Sequence, residues 1–278
     1  MQLSEIWRYP IKSCGGVSVT EAELDSFGLK GDRRWMLVDG DGMMVTQREC
    51  PRMCLIQVEE LFDPLAPGLL VDAPGFPPLN IQQPKGRQNI AVQVWQDRQQ
   101  AWLVEDPKVH QWFSDFLSKS VRLVWWPEFE QRQVDLNYAR TGDQVAFADG
   151  FPFLLISQAS LDDLNSRLSD SVSMTRFRPN LVISGSDMLA EEQYCLLTLG
   201  RWSFELVKPC ARCSIPSIDP QTGQRQSEPT RTLASYRKQK GEIFFGQNLI
   251  YSAPSRQQLL SSNHSAARLS TGMPAFWQ

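Results

Sequence analysis

Apolar residues along this chain fall mostly in short runs bounded by Gly, Pro, Asn or Asp, the pattern of β-strands joined by turns. Arg34-Trp35-Met36-Leu37-Val38 and Met43-Met44-Val45-Thr46 flank the turn sequence Asp39-Gly40-Asp41-Gly42 and predict a β-hairpin. Pro64, Pro67, Gly68, Pro74, Gly75, Pro77 and Pro78 divide the next stretch into short strands and turns, and Val92, Val94 and Trp102-Leu103-Val104 continue the pattern. One stretch departs from it. Over residues 107 to 119, Val109, Trp112, Phe113, Phe116 and Leu117 lie at i, i+3, i+4, i+7 and i+8 behind an Asp106-Pro107 start, which predicts an amphipathic helix with an aromatic core face.

After a strand at Val121-Arg122-Leu123-Val124-Trp125, the polar segment from Glu128 to Gln144 reads as a loop, and a domain boundary is expected near residue 125. Phe153-Leu154-Leu155-Ile156 reads as a buried strand. Ser157 follows as the N-cap of a helix carrying Leu161, Leu164 and Leu168. Further strands are expected at Leu181-Val182-Ile183 and over 202 to 207, with a short helix after Pro229 carrying Leu233 and Tyr236. Strands do not alternate regularly with helices, so the fold class is α+β and predominantly β.

Composition adds exclusions. The 278 residues are enough for one large or two small domains. A hydrophobic fraction of 42% and a charged fraction of 21% describe a globular chain and not a disordered one. The net charge of −3 lacks the basic footprint that a nucleic-acid backbone requires, so no polymeric nucleic acid is expected as a partner. No apolar run is long enough to span a bilayer and the N-terminus has no signal-peptide pattern, so no membrane partner is expected and cytoplasm is the expected compartment. Six Cys are too few for a disulfide framework and are expected as thiols.

The chemistry concentrates at Lys208-Pro209-Cys210-Ala211-Arg212-Cys213, two thiols directly after the strand pattern Trp202 to Val207. Three readings are open. Structural zinc needs four ligands, which Cys50 and Cys54 would have to complete. A dithiol redox site needs a helix after the first Cys, which Pro216 and Pro220 oppose. The third is one inert thiol beside one that ligates the metal of a cofactor. His110, on the polar side of the aromatic helix, and His264, in the tail, are expected to be solvated, and no nucleophile elbow, Walker loop or His-Glu-x-x-His occurs.

Five segments resemble, in order and spacing, the MOSC family of molybdenum-cofactor proteins. They are Tyr9-Pro10-Ile11-Lys12-Ser13, Gly31-Asp32-Arg33-Arg34-Trp35, Arg178-Pro179-Asn180, Cys210-Ala211-Arg212-Cys213 with Asp219-Pro220, and Phe245-Gly246-Gln247-Asn248. Within the family, the resemblance is to the subgroup of the mitochondrial amidoxime-reducing component and its bacterial relatives, over about residues 1 to 252. It implies a smaller β-rich N-terminal domain, residues 1 to 125, followed by a β-barrel MOSC domain, residues 126 to 278. The relatives end on a final apolar strand, whereas the tail from about Ala253 is Ser-rich with Pro254 and Pro274. Either Gln257-Gln258-Leu259-Leu260 or a later segment replaces that strand, or a sheet edge stays open.

The resemblance also implies roles. Cys213 is the molybdenum ligand, a soft thiolate donor suited to a metal already held by a pterin dithiolene. Lys12, Ser13, Arg33 and Arg178 suit a phosphate tail, Asn180 and Asn248 a pterin edge, and Arg212 the cofactor or its loop. Asp149, Gly150 and Phe151 approach the cofactor through their backbone. The implied function is molybdenum-cofactor-dependent removal of oxygen from small N-hydroxylated compounds, with hydroxylaminopurines, amidoximes and hydroxylamines as the substrate class. The chain has no further Cys cluster and no dinucleotide fingerprint, so a separate flavin or iron–sulfur protein is the implied electron donor. The alternative is a carrier of molybdenum cofactor, or of sulfur as a persulfide on Cys213.

Overall fold

The computed structural model describes residues 1–61, 66–86, 88–261 and 267–278; Pro64 and His264 lie outside them. The fold is α+β and predominantly β, as the strand-rich pattern predicts. Its largest sheet runs in the order Ala275–Trp277, Leu196–Leu199, Trp202–Ala211, Glu242–Tyr251, Phe153–Ser157, Leu181–Ser184, Gln2–Arg8 and Val17–Val19, with Lys238–Gln239 branching from Glu242–Tyr251. Pairing along this path is antiparallel except between Phe153–Ser157 and Leu181–Ser184, which are parallel and joined through the helix Gln158–Ser166. Ser157 caps that helix by accepting from the Ser160 N–H at 3.1 Å.

A second sheet orders Trp35–Val38, Arg122–Trp125, Asp97–Leu103 and Asn89–Val94, and a third orders Gln57–Leu61, Gly68–Ala73 and Phe76–Gln82. The expected hairpin is present as a turn, with Val45 N–H donating to the Leu37 carbonyl at 2.8 Å, but its second arm makes only isolated bridges. Between these sheets lies the aromatic helix, Pro107–Leu117, capped by Asp106 and burying the five apolar residues of its predicted face. His110 is not solvated as expected. It is half-buried on this helix, and its Nδ1 accepts from the Leu123 N–H at 3.1 Å, tying the helix to Arg122–Trp125. Burial holds its pKa below the ordinary value, which keeps the ring a neutral acceptor.

The tail resolves into three pieces. Ala253–Ser261, which contains the candidate replacement strand, is a helix. Arg268–Ser270 pairs with Glu21–Asp25, and Ala275–Trp277 pairs antiparallel with Leu196–Leu199. A later segment thus covers that edge, and the first and last parts of the chain meet, with Ala275 N–H donating to the Met1 carbonyl at 3.1 Å.

Candidate functional site

One pocket brings together all eleven residues singled out from the sequence: Lys12, Ser13, Arg33, Asp149, Gly150, Phe151, Arg178, Asn180, Arg212, Cys213 and Asn248. They come from the loop after Gln2–Arg8, the turn before Trp35–Val38, the stretch before Phe153–Ser157, the turn before Leu181–Ser184, and the paired strands Trp202–Ala211 and Glu242–Tyr251. Three of them, Ser13, Arg33 and Arg178, have left-handed backbone with φ of 69°, 48° and 55°. L-residues adopt this conformation at a cost of roughly 1–2 kcal/mol each, and its concentration at one pocket is typical of functional sites.

The thiol loop is built by two irregular strands. Trp202–Ala211 and Glu242–Tyr251 pair with register shifts at Leu206/Lys208 and Pro209/Ala211, and irregularity of this kind accommodates Pro209 within a sheet. Gly246, at φ +82°, is part of the same device: a Cβ there would stand 2.7 Å from the Leu155 carbonyl oxygen. Arg212 N–H donates to the Ile243 carbonyl at 2.7 Å and ends the strand pairing. A single helical turn, Ile215–Ser217, follows, with Ile215 N–H donating to Cys213 Sγ at 3.5 Å. Cys213 is exposed, whereas Cys210 is half-buried and accepts from Arg212 Nη1 at 3.0 Å.

The cations of the pocket are already organised by protein groups. Lys12, only 5% exposed, donates to the Phe147 carbonyl at 2.7 Å and to Asp149 Oδ1 at 2.5 Å. Burial pushes the Lys12 pKa below its ordinary value, and Asp149 opposes this. For Asp149 desolvation acts upward, but the Lys12 charge and hydrogen bond outweigh it and hold the carboxyl below the usual range. Arg33 Nη1 pairs with Asp32 at 2.5 Å, Arg178 Nη1 donates to the Cys14 carbonyl at 2.7 Å, and Arg212 Nη2 donates to the Phe177 carbonyl at 2.6 Å.

Asn180 and Asn248 are tied to the sheet. Asn180 is 2% exposed, accepts from Leu154 N–H and donates to the Trp7 carbonyl, each at 3.2 Å, so its amide joins two strands of the large sheet. Asn248 Nδ2 donates to the Lys208 carbonyl at 3.2 Å across the thiol strand.

Sequence reasoning missed two arginines. Arg48 lines the pocket, with its guanidinium 3.8 Å from Asp149 Oδ2 and stacked at 4.4 Å on Trp95. Arg132 is buried and donates to the carbonyls of Ala146, Ala148 and Asp149 at 3.1, 2.6 and 3.0 Å, while its Nε pairs with Asp97 at 2.7 Å. It holds in place the backbone that carries Asp149. The only sequence cue was an Arg within the polar segment from Glu128 to Gln144.

The donor set fits a phosphorylated, sulfur-ligated cofactor. An exposed thiol stands beside several fixed cations, and Arg212 Nε is buried without a hydrogen-bond partner among the described residues. The four thiols of the zinc reading do not converge: no group of three or more His, Cys, Asp or Glu side chains with metal-binding geometry occurs among the described residues. Cys54 is buried beside the Asp219 carbonyl, and burial pushes its pKa up to about 11, which keeps it a thiol at neutral pH.

A pocket of this composition, set against a bulged sheet pair and an N-terminal β-rich unit, defines a MOSC protein. The model of the MOSC N-terminal beta barrel domain matches residues 1–120 and that of the MOSC domain matches residues 142–263. The chain belongs to the MOSC family, in the company of the mitochondrial amidoxime-reducing components. It is 38% identical over 252 residues to mitochondrial amidoxime-reducing component 1 of Mus musculus, covering 84% of this chain and 71% of that protein. The human counterpart is 36% identical over 245 residues, covering 85% and 72%. A molybdenum cofactor sulfurase of Oryza sativa subsp. japonica is 32% identical over 271 residues, covering 90% of this chain and 32% of that protein. No helix among the described residues is long and apolar enough to cross a membrane.

Proposed function

We propose that this protein is a molybdenum-cofactor-dependent reductase that removes oxygen from small N-hydroxylated compounds. The observation that carries the reading is the convergence of an exposed Cys213 with Lys12, Arg33, Arg178 and Arg212 in one pocket. The similarity to amidoxime-reducing components supports the reaction class. Cys213 would ligate molybdenum, and Arg33 and Arg178 would hold the phosphate of the cofactor with charge-assisted hydrogen bonds. When bound, the cofactor supplies the two-electron redox chemistry.

The remaining roles belong to the chain. Lys12 and Arg132 fix residues 146–149 as one wall of the pocket. Asn248 ties Glu242–Tyr251 to the thiol strand and so fixes the position of Cys213. Arg212 braces the thiol loop through Cys210 and Phe177. Electrons would come from a separate flavin or iron–sulfur protein through a small, transient contact. A carrier of cofactor or sulfur is the second reading, favoured by the similarity to a molybdenum cofactor sulfurase and by the exposure of Cys213.

The deciding experiment measures molybdenum and pterin in protein purified from a host that makes the cofactor, with Cys213→Ser beside the wild type, followed by reduction of benzamidoxime with an artificial reductant. The expected result is near-stoichiometric molybdenum and turnover in the wild type and loss of both in Cys213→Ser. The variant should fold with stability within about 0.5 kcal/mol of wild type, as is usual for an exposed side chain. Zinc or no metal in the wild type overturns the reductase, and release of cofactor or sulfur to an acceptor without substrate reduction selects the carrier.

A further inference from the structure

Tyr9 is buried, 1% exposed, against two cations that line the pocket and share its ring: Arg33 Cζ lies 4.3 Å from the centroid and Arg178 Cζ 4.1 Å. These are two of the left-handed residues described above, and both line the pocket. They come from segments 145 residues apart in sequence, yet Arg33 Nη2 reaches the Arg178 carbonyl at 3.2 Å. Two guanidinium groups brought this close repel each other. Burial lowers the Arg178 pKa, and the charge on Arg33 adds to that shift. The electron-rich face of a desolvated aromatic ring offsets such a penalty.

The ring itself is fixed. Tyr9 N–H donates to Asp32 Oδ1 at 2.7 Å, Arg33 N–H donates back to the Tyr9 carbonyl at 2.9 Å, and Asp32 Oδ2 holds Arg33 Nη1. Gly16 closes one edge so tightly that an added Cβ would stand 2.5 Å from Tyr9 Cε1. The Tyr9 hydroxyl is buried without a hydrogen-bond partner among the described residues. The interactions of this side chain are therefore those of its ring.

We infer that Tyr9 is a positioning residue whose ring holds Arg33 and Arg178 together as a preformed receptor for a phosphate group, the terminal phosphate of the cofactor. This rests on the cofactor reading of the pocket and adds the element that keeps two like charges assembled before the anion arrives. Preorganisation of this kind raises affinity by removing the cost of bringing the donors together at the moment of binding.

The test uses the full chain in two forms. Cofactor-free protein is titrated with inorganic phosphate by calorimetry, and protein from a cofactor-making host is assayed for molybdenum and pterin. Tyr9→Phe keeps the ring and should bind phosphate within about twofold of wild type, whereas Tyr9→Leu should bind roughly tenfold more weakly and retain less cofactor. Because Tyr9→Leu removes a buried ring, a third variant carries pentafluorophenylalanine at position 9, similar in shape but with the face potential reversed. It should follow Tyr9→Leu in phosphate affinity while melting close to Tyr9→Phe, a split that a packing role does not produce. Equal phosphate affinity for the fluorinated ring and Tyr9→Phe overturns the inference, as does a wild type that binds no phosphate. A wild type that binds phosphate with the expected variant order but takes up no molybdenum leaves the clamp standing and removes the reductase reading. Molybdenum uptake that is indifferent to position 9 does the reverse.

Discussion

The aromatic helix Pro107–Leu117 and the cationic pocket both bury large side chains, by opposite means. Around the helix, Phe113 and Phe116 are fully buried, Phe76 packs edge-on to Phe116 at 5.2 Å, and Trp112 packs edge-on to Phe113 at 5.0 Å. Its backbone is regular up to the left-handed C-cap at Ser118. In and around the pocket, Lys12, Arg132 and Tyr9 are nearly as buried, but the first two carry charge, and the pocket backbone is strained at Ser13, Arg33 and Arg178. Apolar burial is non-directional and tolerates many partners. A buried cation needs particular oxygens at particular distances, and the chain reaches them only by local departures from regular structure. The helix region is therefore where stability is concentrated, and the pocket is where the fold gives up stability for a fixed arrangement of charge.

That contrast can be sharpened from the large effect to the small. Phe113→Ala should cost roughly 3–5 kcal/mol in urea unfolding, because the regular core around it relaxes only partly into the space left behind. Its effect on molybdenum content per folded molecule should be small, and a large loss of bound metal in the folded fraction would break the division between the two regions. Asn180→Ala should cost less, roughly 1–3 kcal/mol, since it leaves the Leu154 N–H and the Trp7 carbonyl without their side-chain partner inside the sheet. Here stability and cofactor retention should fall together.

The smallest effect is on pH dependence. The His110 pKa is lowered in the folded state from an unfolded value of 6.5, so the unfolded chain binds more protons in that window. The contribution of His110 is present above that value and is lost as pH falls through the folded one. Urea unfolding at pH 7 and at lower pH should show this slope in the wild type and a shallower slope in His110→Gln. Equal slopes would mean that the bond to Leu123 contributes little.

The helix was legible because five apolar residues, Val109 to Leu117, repeated at helical spacing, and the buried strands because their runs were apolar and bounded by turn residues. The pocket residues were legible for another reason: five short segments carried a family pattern, and the structure brings all of them to one place. What local pattern could not reveal was what each side chain touches. Asn180 reads as a hydrogen-bonding residue in any context, and only the neighbouring strands turn its amide into a cross-strand tie. His110 lay on the polar side of its helix, and only the packing of Arg122–Trp125 supplied its donor. Arg132 had no repeating partner in a polar stretch, yet it organises one wall of the pocket.

The tail shows the same limit most plainly. Ala253–Ser261 is a helix without a clear apolar face, and Ala275–Trp277 is a three-residue strand, too short for periodicity to register. Both are fixed by partners distant in sequence, Leu196–Leu199 for the strand and Trp202–Ala211 for the helix, where Ser255 Oγ accepts from Ser203 N–H at 2.8 Å. The sequence by itself determined the strand-rich class, the aromatic helix and the position of the thiol loop, because those depend on residue type and local spacing. The tertiary structure alone decided which cations face one another, which amides are taken up by the sheet and how the tail covers an edge. Charge pairing and strand pairing act between residues far apart in the chain, and their energies depend on distances that local spacing does not encode.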